Sequence, residues 1–252
     1  MNVPAPTLTY RDPWRWMWML SLFVPAFVAM GPWLMQWAGD AKALWWPLIF
    51  LYVVVPLADA LIPPSRHNPP ESAVASLEND VYYKHITFAL VPVLWAAFIF
   101  AAWFVARHGL PWHGWLAMVL ATGAVGGFGI NLAHEMGHKH NRLERTLALW
   151  ALAPSGYGHF CVEHNRGHHH DVATPQDTAS SRMGESIWAF VWREMPGGAR
   201  RAWQYETQRL KRLGCSPFHA HNQILQGLAI TAALWSALVL WLGPEVLGFI
   251  LP

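Results

Sequence analysis

Two short runs decide how this chain is read: HEMGHKH at His134–His140 and EHNRGHHHD at Glu163–Asp171. Eight of its fourteen histidines lie between His134 and His170. His134 and His138 are four apart. On a helix they project from one face, one turn apart, as two ligands of one metal centre require. His164 and His168 repeat that spacing, and His169 adds an imidazole on a neighbouring direction. Neutral imidazole suits zinc, copper, iron and nickel. A lone histidine on an apolar face is usually a satisfied core residue. Five at these spacings, beside Glu135 and Glu163, point to metal binding. His140 and His170 adjoin the clusters but fall off the shared face, so they are expected to support ligands from outside or to be solvated.

The surroundings of these runs are unusual for such polar residues. The chain has 252 residues, of which 54% are apolar and only 13% charged, with 17 Trp. Soluble domains carry about 25% charged residues, so the composition points to a bilayer-embedded protein. Mean hydropathy is only modestly positive, which requires a substantial polar portion as well. A net charge of +2 is too small to argue for nucleic acid binding, and no basic-aromatic motif is present, so no nucleic acid partner is expected. Cys161 and Cys215 form neither a disulfide framework nor a CxxC knuckle and read as buried or bland thiols. Arg11 and Arg15 precede an apolar run without a small-residue cleavage site, so that run reads as a first membrane helix.

About 20 apolar residues cross a bilayer core as a helix. Runs of that kind occupy about 14–37, 43–62, 86–105, 112–132 and 224–242, and 246–252 looks like the start of a sixth. The expected fold is all-α: a polytopic membrane helix bundle of about five spans plus the start of a sixth, with a histidine-rich cap. Asp59, near the end of the second span, is a candidate for function or bundle packing. Gly123, Gly126, Gly127 and Gly129 suit close helix packing. Residues 146–162 are too short and too interrupted, by Pro154-Ser155-Gly156, to span; they read as re-entrant or interfacial. With the N-terminus inside, fifteen Lys and Arg fall on the inner side and two on the outer. That places the histidine clusters in the cytoplasm. The basic stretch 182–212, with Trp188, Trp192 and Trp203, reads as a helix on anionic headgroups or a dock for an acidic protein.

Two metal readings compete at this stage. His134-Glu135-xx-His138 fits a zinc peptidase with Glu135 as general base. Such a site needs one more protein ligand and an open position for water, whereas the second cluster offers three consecutive histidines. A histidine-rich two-iron site uses both clusters, with Glu135 and Glu163 orienting ligands by hydrogen bonds or bridging the metals.

Four stretches stand out together: HEMGHK at His134–Lys139, GHFCVEHNRGHH at Gly158–His169, VATPQDTASSRMGES at Val172–Ser186, and Asn68-Pro69-Pro70-Glu71, the last three going well beyond a generic histidine pattern. They resemble the membrane alkane monooxygenase family, within the histidine-box membrane hydroxylases and desaturases. The resemblance implies that His134, His138, His164, His168 and His169 ligate a non-haem centre of two Fe. It implies hydroxylation of the terminal methyl of medium-chain alkanes with O2. Electrons would come from rubredoxin, with rubredoxin reductase upstream. The alkane would arrive from the membrane lipid through a channel between the first four helices, lined by some of their Trp and Phe residues. Residues 1–252 would form a single integral-membrane hydroxylase domain in a bacterial-type inner membrane. The family's further ligands, a histidine in an NYxEHYG-like segment and an RHSDHH-like third box, have no match here, and His219-Ala220-His221 is not one. Pro63-Pro64-Ser65 stands where the family tends to have a Gly-Glu-Asp-like run. The chain is therefore expected to be C-terminally truncated, to bind iron weakly and not to turn over. The alternatives are a hydroxylase of another small hydrocarbon such as xylene, an intramembrane HExxH zinc protease, and an inactive fragment.

Overall fold

The computed structural model describes residues 10–64 and 68–252, whose regular structure is all helical, with no strand among them. The lead up to residue 9, and Ser65, Arg66 and His67, lie outside the described residues. Arg66, one of the fifteen inner-side cations, and Ser65 of the Pro63-Pro64-Ser65 run fall there. The chain divides into two compact units, one ending at Val125 and the other starting at Gly126.

In the first unit, the run expected to form one straight span is instead a bent pair. A 3-10 helix, Arg15–Phe23, is followed by α1, Phe27–Ala38, at 58° to it. Pro25 sits at the break. It has no amide hydrogen, and its ring disturbs the preceding turn. Next comes α2, Ala41–Leu61, an apolar helix started by the Asp40 side chain accepting from the Lys42 amide at 2.8 Å. Asp59 is exposed on it. A short α3, Glu71–Glu78, leads to α4, Val81–Arg107. Asp80 caps α4 through the Tyr82 amide at 2.8 Å and pairs with Arg15 at 2.8 Å, tying the first helix to the start of α4. α5, Trp112–Gly137, begins in this unit and ends in the second.

In the second unit, Asn141 caps α6, Arg142–Leu152, through the Leu143 amide at 2.9 Å. Eleven residues of helix rise about 16 Å, too little to cross a bilayer, in keeping with the expectation for 146–162. Pro154 follows two residues after its end. The carbonyls of Ala153 and Pro154, left over at the helix end, accept from Thr231 Oγ1 at 3.1 Å and Trp235 Nε1 at 3.3 Å. α7 spans 160–171, with a π-helical turn at His164–His168 between two short α segments. α8, Ile187–Arg212, is a long amphipathic helix capped by Ser186. α9, Gln223–Leu242, is capped by the fully buried Asn222. A 3-10 turn, Pro244–Val246, and α10, Leu247–Ile250, follow. Val162, Ala202 and Ile224 form a small core between α7, α8 and α9.

Among the described residues, four helices are long and apolar enough to cross a membrane, or five if the bent pair is one span. Between 11% and 44% of each apolar stretch is buried within the protein. The rest presents apolar side chains outward. That is costly in water and favourable in lipid, so the chain is a multi-pass membrane protein.

Candidate metal centre

His134 lies on the last turns of α5. His138 follows one residue after the helix ends, its amide still bonded to the His134 carbonyl at 3.3 Å. The rings meet with Nε2 to Nε2 at 3.2 Å. α7 brings up the second cluster. His138 Nε2 lies 3.2 Å from His164 Nε2, which lies 3.1 Å from His169 Nε2. One ligand atom from each of His134, His138, His164 and His169 falls within 4.8 Å of all the others. Imidazole nitrogens about 2.1 Å from a common ion stand about 3 Å apart when they subtend a right angle. The donor set therefore fits a metal in both kind and spacing. Asn165 Nδ2 donates to the Gly137 carbonyl at 3.0 Å, fastening α7 to the end of α5.

The π-helical turn explains which histidines converge. In an α-helix each residue turns about 100°, so His168 stands about 40° from His164 and His169 about 140° away. A π-turn, with its i to i+5 hydrogen bonds, holds about 4.4 residues. His168 and His169 then flank the His164 direction by about 35° and 50°. The His169 ring reaches the cluster. His168 stands at its edge, with ring centroids 5.3 Å from His164 and 5.8 Å from His169. Its Nδ1 donates to Asp177 Oδ2 at 2.8 Å. A carboxylate on one imidazole nitrogen fixes the tautomer and leaves the lone pair of the other free for a metal.

At two of these rings the surroundings favour the neutral form. His164 is pushed down to about 4, by burial first and then by His134 and His169. His138 is lowered by burial and by His134. Unprotonated imidazole is the form that ligates. Asp177 is fully buried. Burial raises its pKa, but hydrogen bonds from Ser180 and the Ala179 amide hold it below the ordinary carboxylate range. Arg201 completes this layer. It lies 2.7 Å from Asp171, 3.3 Å from Asp177 and 3.4 Å from Glu163. Glu163 is buried and faces Arg201; burial raises its pKa, and its Oε1 has no hydrogen-bond partner. A further anchor lies outside. Arg166, inside the π-turn, donates to the fully buried Glu206 at 2.6 Å and to Gln223 Oε1 at 3.1 Å.

The other residues singled out by sequence are spread around this core. Glu135 is exposed and accepts from His134 Nδ1 at 3.2 Å. His170 is exposed and pairs with Asp171 at 2.6 Å. His140 is exposed on the wall of an open cleft of about 550 Å³ that His138, His169 and Arg166 also line. Asp177, Asp171 and Tyr205 escaped the sequence reading, although Asp177 lies inside the matched stretch Val172–Ser186. Of the basic residues at 182–212, Arg193, Arg201 and Arg209 are engaged with buried or half-buried carboxylates. Arg182, Arg200, Lys211 and Arg212 remain exposed.

A family model described as fatty acid desaturase matches residues 109–252, which hold both histidine clusters. The chain belongs to the fatty acid desaturase family. Within it, the chain is 44% identical over 243 residues to alkane 1-monooxygenase 1 of Alcanivorax borkumensis, covering 96% of this chain and 60% of that protein. It is 44% identical over 241 residues to alkane 1-monooxygenase of Pseudomonas putida, with the same coverage. The xylene/toluene monooxygenase hydroxylase component of Pseudomonas putida is 30% identical over 119 residues, 47% of this chain and 32% of that protein. The chain thus spans about three fifths of the length of these alkane monooxygenases. Family membership, with four imidazoles drawn from two segments, replaces the zinc-peptidase reading of His134–His138.

Proposed function

We propose that this chain carries iron-ligating histidines of a membrane hydroxylase that converts the terminal methyl of medium-chain alkanes to a primary alcohol. The convergence of His134, His138, His164 and His169 at 3.1–3.2 Å between successive Nε2 atoms carries the proposal. Its alkane 1-monooxygenase relatives suggest the reaction. His134, His138, His164, His168 and His169 hold two Fe. When bound, that pair supplies O2 activation, with one oxygen going to the alcohol and the other to water. The chain's own residues do the rest. Asp177 keeps a proton on His168 Nδ1, Glu135 does the same for His134, and Arg201 balances the charge of Asp171, Asp177 and Glu163.

Residues 1–252 act as one integral-membrane hydroxylase domain in a bacterial inner membrane, with the N-terminus and histidine clusters cytoplasmic. The alkane enters from the bilayer. Electrons come from rubredoxin, an acidic donor for which Arg182, Arg200, Lys211 and Arg212 offer an exposed basic set. Alkanes are preferred to alkylarenes because the resemblance to alkane monooxygenases covers 96% of the chain, against 47% for the xylene enzyme.

The test uses the protein containing this chain at its natural length, in membranes, with reduced rubredoxin. It should contain iron and turn octane into 1-octanol. His138→Ala and His169→Ala should lose both. Tightly held zinc in place of iron, or oxidation of xylene with no 1-octanol, would overturn the proposal.

A further inference from the structure

A second group of metal-ligating side chains lies in the loop between α8 and α9, separate from the histidine cluster. One ligand atom from each of Cys215, His219 and His221 falls within 4.8 Å of the other two. Sequence spacing treats these residues as a bland thiol and surface imidazoles. The loop explains why they meet. α8 ends with Gly214 in the left-handed region (φ 70°), where Leu210 accepts from the Cys215 amide at 2.9 Å and Lys211 from the Gly214 amide at 3.1 Å. That pair of bonds is a helix-closing motif which fixes the direction of the next residue, here Cys215. Two successive turns follow. The His219 amide donates to the Ser216 carbonyl at 3.0 Å, and the Asn222 amide donates to the His219 carbonyl at 2.9 Å.

Side chains from both flanking helices then pin the loop. Arg209 donates to the His221 carbonyl at 2.6 Å, Gln226 to the Ala220 carbonyl at 2.7 Å, and Asn222 to the Pro217 carbonyl at 2.7 Å. The Phe218 ring packs against Trp203 at 5.7 Å. The rings of His219 and His221 lie 4.6 Å apart, and His219 Nδ1 accepts from the His221 amide at 3.2 Å. Cys215 is half-buried, whereas both histidines are exposed. One thiolate and two imidazoles held by a preformed loop, with solvent on the open side, is a donor set for a four-coordinate borderline-soft cation.

We infer that Cys215, His219 and His221 form a second metal site, which takes one zinc-class divalent cation with water as the fourth ligand. Binding removes the Cys215 thiol proton to solvent and makes one metal–sulfur and two metal–nitrogen bonds, with no change of oxidation state. The site clamps the end of α8 to the start of α9. It is independent of the function proposed above.

The probe is Co(II) added to the purified full-length protein, because thiolate-bound cobalt has a charge-transfer band that imidazole-bound cobalt lacks. Wild type should show that band at one equivalent per chain. Cys215→Ser should abolish it, His221→Ala should weaken it, and His138→Ala combined with His169→Ala should leave it in place. Zinc should also slow alkylation of Cys215 by about tenfold or more, since a metal-bound thiolate is a poorer nucleophile than a free one. Cys161, whose thiol burial pushes up to about 12, is the internal control and should react slowly with or without zinc. A wild-type protein without the band, a band surviving Cys215→Ser, or unchanged Cys215 alkylation would each overturn the site.

Discussion

Glu206→Gln tests the anchor behind the histidine segment. The Glu206 carboxylate is fully buried and accepts four hydrogen bonds: Arg166 Nη1 at 2.6 Å, Arg209 Nε at 2.8 Å and Nη2 at 2.6 Å, and the Gln223 amide at 2.8 Å. Burial works against the charge, but these bonds bring its pKa from 4.5 down to about 2. At about 1.4 kcal/mol for each tenfold change in the protonation equilibrium, the folded protein favours the anion by about 3 kcal/mol. Removing one member of a buried ion pair costs about 3–5 kcal/mol. The lower end applies here, because both arginines keep some access to water. For a carboxyl lowered by folding, the stabilisation is complete above its unfolded value and disappears as pH falls through the folded one. For Glu206 that window runs from 4.5 down to about 2. At neutral pH the variant should melt about 6–12 °C lower, at about 2–4 °C per kcal/mol for a chain of this size. Its melting point should also depend less on pH across that window. Because Arg166 lies between His164 and His168, the variant should retain less iron. Tryptophan fluorescence melts in detergent at several pH values, with metal analysis, provide the assay. A melting point within about 2 °C of wild type at neutral pH, or an unaltered acid dependence, would refute the role given to this network.

Asp177→Asn should leave the fold in place but weaken iron binding by about 10–100-fold, the usual effect of losing the partner of a ligating histidine; competition with a chelator reads this directly. Gly227→Ala places a methyl carbon 2.9 Å from the Gly158 Cα and should destabilise the protein by about 1–3 kcal/mol, measurable as a lower melting point. Arg200→Glu should slow reduction by an acidic donor at low ionic strength, with the difference fading as salt is added. Arg201→Leu should instead release iron, since Arg201 neutralises carboxylates beside the cluster rather than facing a partner; stopped-flow reduction and metal content separate the two.

The spans were legible because the apolar runs are long and nearly uncharged. The bend in the first was not, since Pro25 interrupts the geometry of that run without interrupting its hydropathy. The two histidine clusters were legible from spacing alone. Their internal arrangement was not, because four-residue spacing assumes an α-helix, while a π-turn moves His169 toward the others and turns His168 to Asp177. Asp177 and Arg201 are 24 positions apart and meet only through folding. Seven basic residues along 182–212 read as one basic stretch, yet three are held by carboxylates, a distinction that periodicity does not carry. Cys215, His219 and His221 lacked a familiar spacing and were joined by a turn sequence rather than by a motif.

Gly158 and Gly227 meet where the segment leading into α7 crosses α9. A Cβ on either would lie 2.9 Å from the other's backbone. Most packing contacts are made by side chains, which absorb small errors by changing rotamer. This one is made by main chain alone and has no such slack. The start of the second histidine segment thus sits on a gauge block, whose thickness is set by covalent geometry rather than by the fit of neighbouring side chains. A hydrogen atom on each α-carbon is the tolerance, and the placement of His164 and His169 inherits it.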